Sequence, residues 1–437
     1  SELASAPLSQ PSSDLTGAAE RYLAADPELV RCPFGLFDRL RDEAPVHHVD
    51  SAGVWLVTRY ADICEVVRDP ETFSSLMATG PHGDRMRETL AALARESGEV
   101  RGYLEAAGFR DRSPVLLRCD PPRHTQQRKL VNKAFTPRRV RQIEDGVADI
   151  CNGLIDDVIA QGRMDLVADF AVPLPITVIA GALGVSDGDL PTFKQWSDNL
   201  AASIGNDDLS RDQVYALVRS QSAFAEYFDH KITDRRANRR DDLISDVVHA
   251  TIDGDSLHPD EMLTMFVQFL VAGNETTTTH IASTMRLLLA DPELMDRCRA
   301  DLSLVPALIE ESLRVESPIV GLYRTATRDT EVGGVPVPGG AHLLMCYASG
   351  NRDGAQFERP DRIDLERSGG GGHLAFGQGP HFCLGSALAR AESRIGLTTV
   401  LTRLRDIRLD PEAPALDYGS SYILRGPKRL DLLFEKA

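Results

Sequence analysis

No two of the seven cysteines form a C-x-x-C pair, which argues against a zinc site and against a thioredoxin-like dithiol. There is no C-x-x-C-H either, so covalent attachment of a c-type haem is excluded. No stretch reaches the ~20 consecutive apolar residues that span a bilayer. The most apolar helical run, Met262 to Leu289, is broken by Gln268, Asn274, Glu275 and His280. The opening residues SELASAPLSQPSSDLTGAAE lack the basic start and apolar core of a signal peptide. Positive charge is in short supply: 48 Lys and Arg against 65 Asp and Glu leave a net charge of −17. That balance speaks against nonspecific nucleic-acid binding. Internal repeats, low-complexity linkers and glycine fingerprints for flavin or NAD are missing as well. The expectation is a soluble, cytoplasmic chain with reduced thiols.

What is present is ample: 437 residues, 42% of them hydrophobic, can bury a large core and still line a cavity. Residues 1–20 read as disordered or loosely packed, and residues 21–437 as a single domain. Gly53 to Thr58 alternates like a strand, and Tyr60 to Arg68 reads as a short helix stopped by Asp69-Pro70. Residues 75–119 are polar, with a helical insert around Met86 to Ala107. From Pro121 onward helical periodicity dominates, as over Val140 to Ala160, Pro175 to Gly184 and Gln213 to Arg236. Val332 to Pro338 and His342 to Tyr347 form a second strand-like region with Gly-Gly and Pro-Gly-Gly turns. The expected fold class is mainly α with small β-sheets (α+β). Four glycines, Gly369 to Gly372, ordinarily mark a flexible linker. That reading is set aside because the motifs on both sides belong to one site.

The most specific segment is FGQGPHFCLG, Phe376 to Gly385, followed at once by a helical run from Ser386 to Thr402. Gly379 and Gly385 permit backbone conformations and close approaches that a side chain blocks. Cys383 lies just before a helix N-terminus, whose dipole and free N–H groups favour a thiolate over a thiol. A lone Cys-x-Gly reads as a buried cysteine in a glycine turn, and the other six cysteines are read as small buried hydrophobes.

The complete pattern, F-x-x-G-x-H-x-C-x-G, resembles the haem-binding loop of the cytochrome P450 family at each key position. The resemblance runs from about residue 30 to the end of the chain. It implies that family's triangular-prism fold, with a long central helix above a non-covalent haem b. Cys383 would be the axial thiolate and the only metal ligand. Phe376, Gly377 and Gly385 would belong to the cofactor loop, with Phe376 packed beside the sulfur. Backbone N–H groups aimed at that sulfur would tune its donation to iron.

A second signal begins at Pro259, which suits a first helical turn, and runs to about Asp291-Pro292. A helix of roughly thirty residues crosses about 45 Å. Its centre, Ala272-Gly-Asn-Glu-Thr-Thr-Thr-Thr279, is poor helix sequence, and threonine hydroxyls there would take carbonyls from the ladder and open it locally. A-G-x-E-T is similar to the family's oxygen-binding groove. That resemblance implies that Gly273 leaves room for O2 and that Ala272 borders the cofactor. Thr276 would hold a water and hydrogen-bond the dioxygen, and Glu275 would relay protons. Glu311 and Arg314 form an E-x-x-R pair on one helix face. The resemblance completes it with Arg362, in Pro360-Asp-Arg362, as a structural charge network. His124, Arg128, Arg324 and His381 match the positions that hold haem propionates.

The implied activity is insertion of one oxygen atom of O2 into a C–H or C=C bond of a hydrophobic small molecule. Apolar Ala272, Ile319, Val320 and Leu322, with the 75–119 segment, would line its pocket. Residues 118–141 hold eight Lys and Arg and one acid in an acidic chain. The plain reading of such a run is a solvated helix face. The resemblance makes it the docking face for an acidic iron–sulfur ferredoxin, supplied by an NAD(P)H-dependent reductase. A monomer is expected. One rival reading is a peroxide-driven peroxygenase, against which Glu275 and Thr276 argue. The other is a non-catalytic haem-thiolate sensor or binding protein, which ordinarily carries an output domain.

Overall fold

The structure, a computed structural model, describes residues 15–80, 84–106, 114–134, 137–206, 209–252, 254–367 and 372–437. It is mainly helical, 58% of the chain, with small sheets. The chain divides into two compact units, neither continuous in sequence.

The first unit comprises Ser1–Ser74, Glu144–Pro175 and Thr276–Ala437. Its main sheet is built from β1 (Val46–Val49), β2 (Val54–Val57), β3 (Phe73–Ser74), β4 (Leu322–Ala326) and β5 (His342–Met345). Their order across the sheet is β1-β2-β5-β4-β3. β1 and β2 pair as an antiparallel hairpin, Val46 opposite Val57, while β5 runs parallel to β2 and antiparallel to β4. The alternating Val, Leu and Met suit a pleated, half-buried surface. The helix Tyr60–Arg68 carries Ile63, Val66 and Val67 at helical spacing and lays them on this sheet with Phe73, Leu343, Met345 and Leu374. Each such burial stabilises by about 1.5–3 kcal/mol. Leu374 is the last core residue before the cysteine loop, so the sheet core anchors the loop's start. A smaller sheet joins Leu404–Leu409, Asp431–Lys436 and Arg163–Asp165. The Gly333-Gly334 turn closes a hairpin between Thr330–Val332 and Val335–Val337, and both glycines have positive φ.

The expected loose segment, residues 1–20, needs correction in its last part. Leu15–Leu23 is a helix whose buried Tyr22 donates its hydroxyl to Tyr422 O at 2.6 Å. Residues 1–14 lie outside the described residues, as do residues 369–371 of the glycine run and residues 81–83 and 107–113 of the 75–119 segment.

The second unit comprises Ser75–Ile143 and Ile176–Glu275. The expected insert is two helices, Asp84–Glu96 and Gly98–Ala106. Its core is an aromatic cluster of Phe193, Trp196, Phe224, Phe228 and Phe266, with Phe224 and Phe228 stacked at 4.4 Å. Ser210 and Gln213 form a capping box that starts the helix Arg211–Ala237.

The helix Pro259–Ala290 contributes Pro259–Glu275 to the second unit and Thr276–Ala290 to the first. It is continuous, so the expected opening at the threonines does not occur. The Thr278 hydroxyl reaches out of the helix to Ala171 O at 2.9 Å. The polar residues that break its apolar run are braces. Gln268 donates to Val115 O at 2.9 Å, Asn274 to Ser197 Oγ at 3.0 Å, and His280 bridges Ser312 and Ser393 at 2.8 Å each.

Candidate active site

The cysteine loop is held by backbone bonds and by two glycines. Leu374 N–H donates to Asn351 Oδ1 at 2.6 Å, and Gly377 N–H to Leu374 O at 2.8 Å. Cys383 N–H donates to Phe376 O at 2.9 Å and closes the loop. Gly377 and Gly379 take φ of 66° and 69°. At Gly379 a Cβ would also strike Val67 O at 2.6 Å, so a side chain there lifts the loop off the end of helix Tyr60–Arg68. Gln378 fastens the same contact, accepting from Arg68 Nη2 at 2.6 Å and donating to the Tyr60 hydroxyl at 3.0 Å. Gly385 is the N-cap of helix Ser386–Arg403, which sets Cys383 two residues ahead of its free N–H groups. Gly385 itself has φ of −83°, and a Cβ there would meet nothing within 4 Å, so the conformational demand falls on Gly377 and Gly379 instead.

The other thiols are of a different kind. Burial pushes Cys119 up to about 11 and Cys151 and Cys346 up to about 12, and it raises Cys64 and Cys298 as well. Such thiols are inert at neutral pH. Cys383 and Cys32 are the two that are only partly buried.

Arg324, on β4, is 2% exposed and has no carboxylate within ion-pair distance among the described residues. Its guanidinium donates to Tyr323 O at 2.7 Å. A buried cation without an anion is costly unless a ligand supplies one. A haem propionate has the required charge and acceptor geometry, so the residues present fit that cofactor. His381 closes the short turn Gly379–His381 in the same unit.

The E-x-x-R pair is buried and bidentate. Arg314 meets Glu311 through Nε at 2.8 Å and Nη2 at 2.9 Å. The expected third member, Arg362, is corrected: only its backbone carbonyl joins, accepting from Arg314 Nη2 at 2.8 Å. The second guanidinium on Glu311 belongs to Arg367, whose Nε lies 3.0 Å from Oε1. The turn at Asp364, whose N–H also donates to Glu311 at 2.9 Å, brings this later arginine inward.

In the second unit, His124 and Arg128 flank Gln127 on helix Arg123–Ala134. Gln127 is fully buried and donates to Glu261 Oε1 at 3.0 Å, and Arg123 adds a salt bridge to the same carboxylate. These bonds fix the helix against the start of Pro259–Ala290, and His124 is buried with it. Ala272, Gly273 and Glu275 lie on that long helix. A Cβ at Gly273 would meet only Ile179, at 3.9 Å, so packing within the unit does not demand glycine there. Part of the basic run is spent internally: Arg139 pairs with Asp241 and Asp246, and Arg118 is turned to Leu76 O. Arg138 and Arg141 are exposed, and residues 135–136 lie outside the described residues.

Ile319, Val320 and Leu322 sit at the entry to β4. Ile319 bridges to Leu424, and Val320 N–H donates to Ile423 O at 2.8 Å. The segment Tyr422–Leu424 is therefore their neighbour, a contact between distant parts of the chain that no local pattern announces.

Comparison with known proteins fits this geometry. The family model described as Cytochrome P450 matches residues 90–434. Cytochrome P450 107B1 of Saccharopolyspora erythraea is 35% identical, over 95% of this chain and 98% of that protein. A Steroid C26-monooxygenase of Mycobacterium tuberculosis is also 35% identical, over 90% of this chain and 98% of its own. The structure of cytochrome P450 CYP109Q5 from Chondromyces apiculatus superposes with a TM-score of 0.81 at 34% identity, covering 95% and 99% of the two chains. Fold and loop together define a haem-thiolate protein. The chain belongs to the cytochrome P450 family, and it is a monooxygenase, an oxidoreductase that incorporates one oxygen atom. Membership implies a haem-thiolate cofactor, O2 and a redox partner. Among the described residues no helix is long and apolar enough to cross a membrane.

Proposed function

We propose that Cys383 would hold a haem b through its thiolate, and that the enzyme hydroxylates or epoxidises a hydrophobic small molecule with electrons from an iron–sulfur ferredoxin and its NAD(P)H-dependent reductase. The observation that carries this is the closed Phe376–Cys383 loop, held by positive-φ glycines ahead of a helix N-terminus. When bound, the haem supplies the activation of O2 that lets one oxygen atom enter an unactivated bond.

The chain's own residues do the rest. Arg324, His124, Arg128 and His381 would each be a partner for a haem propionate; Arg324 is preorganised for this by burial and by its bond to Tyr323 O. Phe376, Gly377 and Gly379 would shape the loop around the sulfur, with Gly385 as the N-cap of the helix that follows. Gly273 keeps space on the long helix for O2, a reading supported by the absence of any packing demand for glycine there. Thr276 holds a proton-donating water, and Glu275 exchanges that proton with solvent. Glu311, Arg314 and Arg367 are structural, with Arg362 contributing its carbonyl. Ala272, Ile319, Val320 and Leu322 would each offer the substrate apolar lining, with Ile423 beside Val320. A relative named for a steroid and that lining both favour a hydrophobic substrate. Exposed Arg138 and Arg141 belong to the surface that receives the acidic ferredoxin, with a salt-sensitive on-rate. The protein works as a cytoplasmic monomer.

The test is reconstitution with a ferredoxin, its reductase, NADPH and 18O2 over a panel of steroids and macrolides. Product carrying one 18O atom, dependent on all components, is expected. Product formed only from added peroxide would favour a peroxygenase instead.

A further inference from the structure

Phe376 opens the Cys383 loop, and two side chains that share one carboxylate converge on its ring. The Arg390 guanidinium lies over the ring, with Cζ 4.4 Å from the centroid. The His373 ring centroid is 5.8 Å away and tilted by 42°. Arg390 gives Glu310 two bonds, Nε at 2.5 Å and Nη2 at 2.9 Å. His373 Nε2 lies 3.2 Å from Glu310 Oε2. Ala375 N–H donates to His373 Nδ1 at 3.2 Å, so Nδ1 carries the lone pair and Nε2 the proton that Glu310 receives. Burial alone would raise the Glu310 carboxyl, but His373 and Arg390 hold it down to about 2, and it stays ionised. Glu310 comes from helix Val305–Val315, Arg390 from helix Ser386–Arg403, and His373 from the segment between them. None of the three belongs to the E-x-x-R network, whose Glu311 serves Arg314 and Arg367.

We propose that Glu310 is a positioning residue for the Cys383 loop: through Arg390 and His373 it fixes Phe376, and the charge balance of the Glu310–Arg390 pair sets the reduction potential of the iron that Cys383 ligates. The inference rests on Cys383 being that ligand. The Cys383 N–H is committed to Phe376 O, so any movement of Phe376 changes the donors available around the sulfur. A guanidinium held bidentate by a carboxylate is preorganised as a planar lid on the ring. Charge close to the loop acts through a partly desolvated medium, where it is felt more strongly than in water.

The test compares the midpoint potentials and ferrous–CO spectra of wild-type holoprotein with E310Q, R390Q, the E310Q/R390Q double variant and R390K. E310Q leaves an unbalanced cation by the loop and raises the potential. R390Q leaves an unbalanced anion and lowers it. The double variant returns close to wild type. R390K keeps the charge and the potential but loses the planar lid, so the ratio of thiolate-ligated to collapsed CO complex falls about tenfold. Loosening of the loop by itself would move both single variants in one direction. That result, or unchanged potentials with a lowered melting temperature, overturns the inference while leaving Cys383 in place. A wild-type ferrous–CO spectrum without a thiolate band overturns the ligand assignment and this inference with it.

Discussion

Replacing Glu392 by glutamine should flatten the stability profile between about pH 4.5 and 8. Glu392 lies on the inner face of helix Ser386–Arg403, 3% exposed, and its Oε2 has no hydrogen-bond partner. Burial alone pushes its pKa from 4.5 to about 8. That rise covers about 3.5 pH units, at about 1.4 kcal/mol each, so forcing the charge on the folded state costs about 5 kcal/mol. The sign follows from proton binding. Below pH 4.5 both states hold the proton and stability is at its full value. As pH rises from 4.5 to about 8 the unfolded chain ionises and the folded one does not, so stability falls, by about 3 kcal/mol at pH 7, and levels off above 8. Glutamine keeps the shape without the titration. Denaturant unfolding of holoprotein at pH 5, 7 and 8.5 should show wild type and E392Q converging at low pH and separating by about 3–5 kcal/mol at high pH. Parallel profiles for the two proteins would refute the reasoning and mean that the carboxyl finds a partner or water in solution.

Four further outcomes are expected. His280, buried between two serines and depressed to about 3, should make the acid side sensitive: stability is lost as pH falls below 6.5 toward 3, and H280L removes that slope in the same unfolding assay. E311Q should destabilise by about 3–5 kcal/mol in denaturant titrations, because Arg314 and Arg367 are left buried beside a neutral group. R324L should weaken haem retention about ten- to hundredfold in transfer to apomyoglobin, the loss of a charge-assisted pair. T276A should divert electrons from product to hydrogen peroxide, and unchanged coupling in an NADPH-to-product assay would remove the role assigned to Thr276.

Much of the fold was legible where one local rule dominated. Tyr60–Arg68, stopped by Asp69-Pro70, is observed over the expected range. The strands around Gly53–Thr58 and His342–Tyr347 followed from alternation. The Cys383 loop was legible because glycine, proline and cysteine at fixed spacing constrain the backbone directly. What sequence missed was set by distance along the chain. Arg367 replaces Arg362 on Glu311 because the loop between them turns at Asp364, which spacing does not encode. The threonine run keeps its helix, and Thr278 bonds Ala171 O, an acceptor far away in sequence. Glu310 and Arg390 lie 80 residues apart in sequence and meet beside Phe376 only in the fold. The signal available beforehand was that His373, Glu310 and Arg390 all flank motifs, yet adjacency to a motif does not say which way a side chain points.

The measurement that bears most directly on the central claim is the difference spectrum of dithionite-reduced protein with and without carbon monoxide, for wild type and C383A. A strongly red-shifted Soret band in wild type, absent from C383A while haem stays bound, is the predicted result and establishes Cys383 as the thiolate ligand. A wild-type band at the position of histidine-ligated haem, or one that survives in C383A, would contradict it.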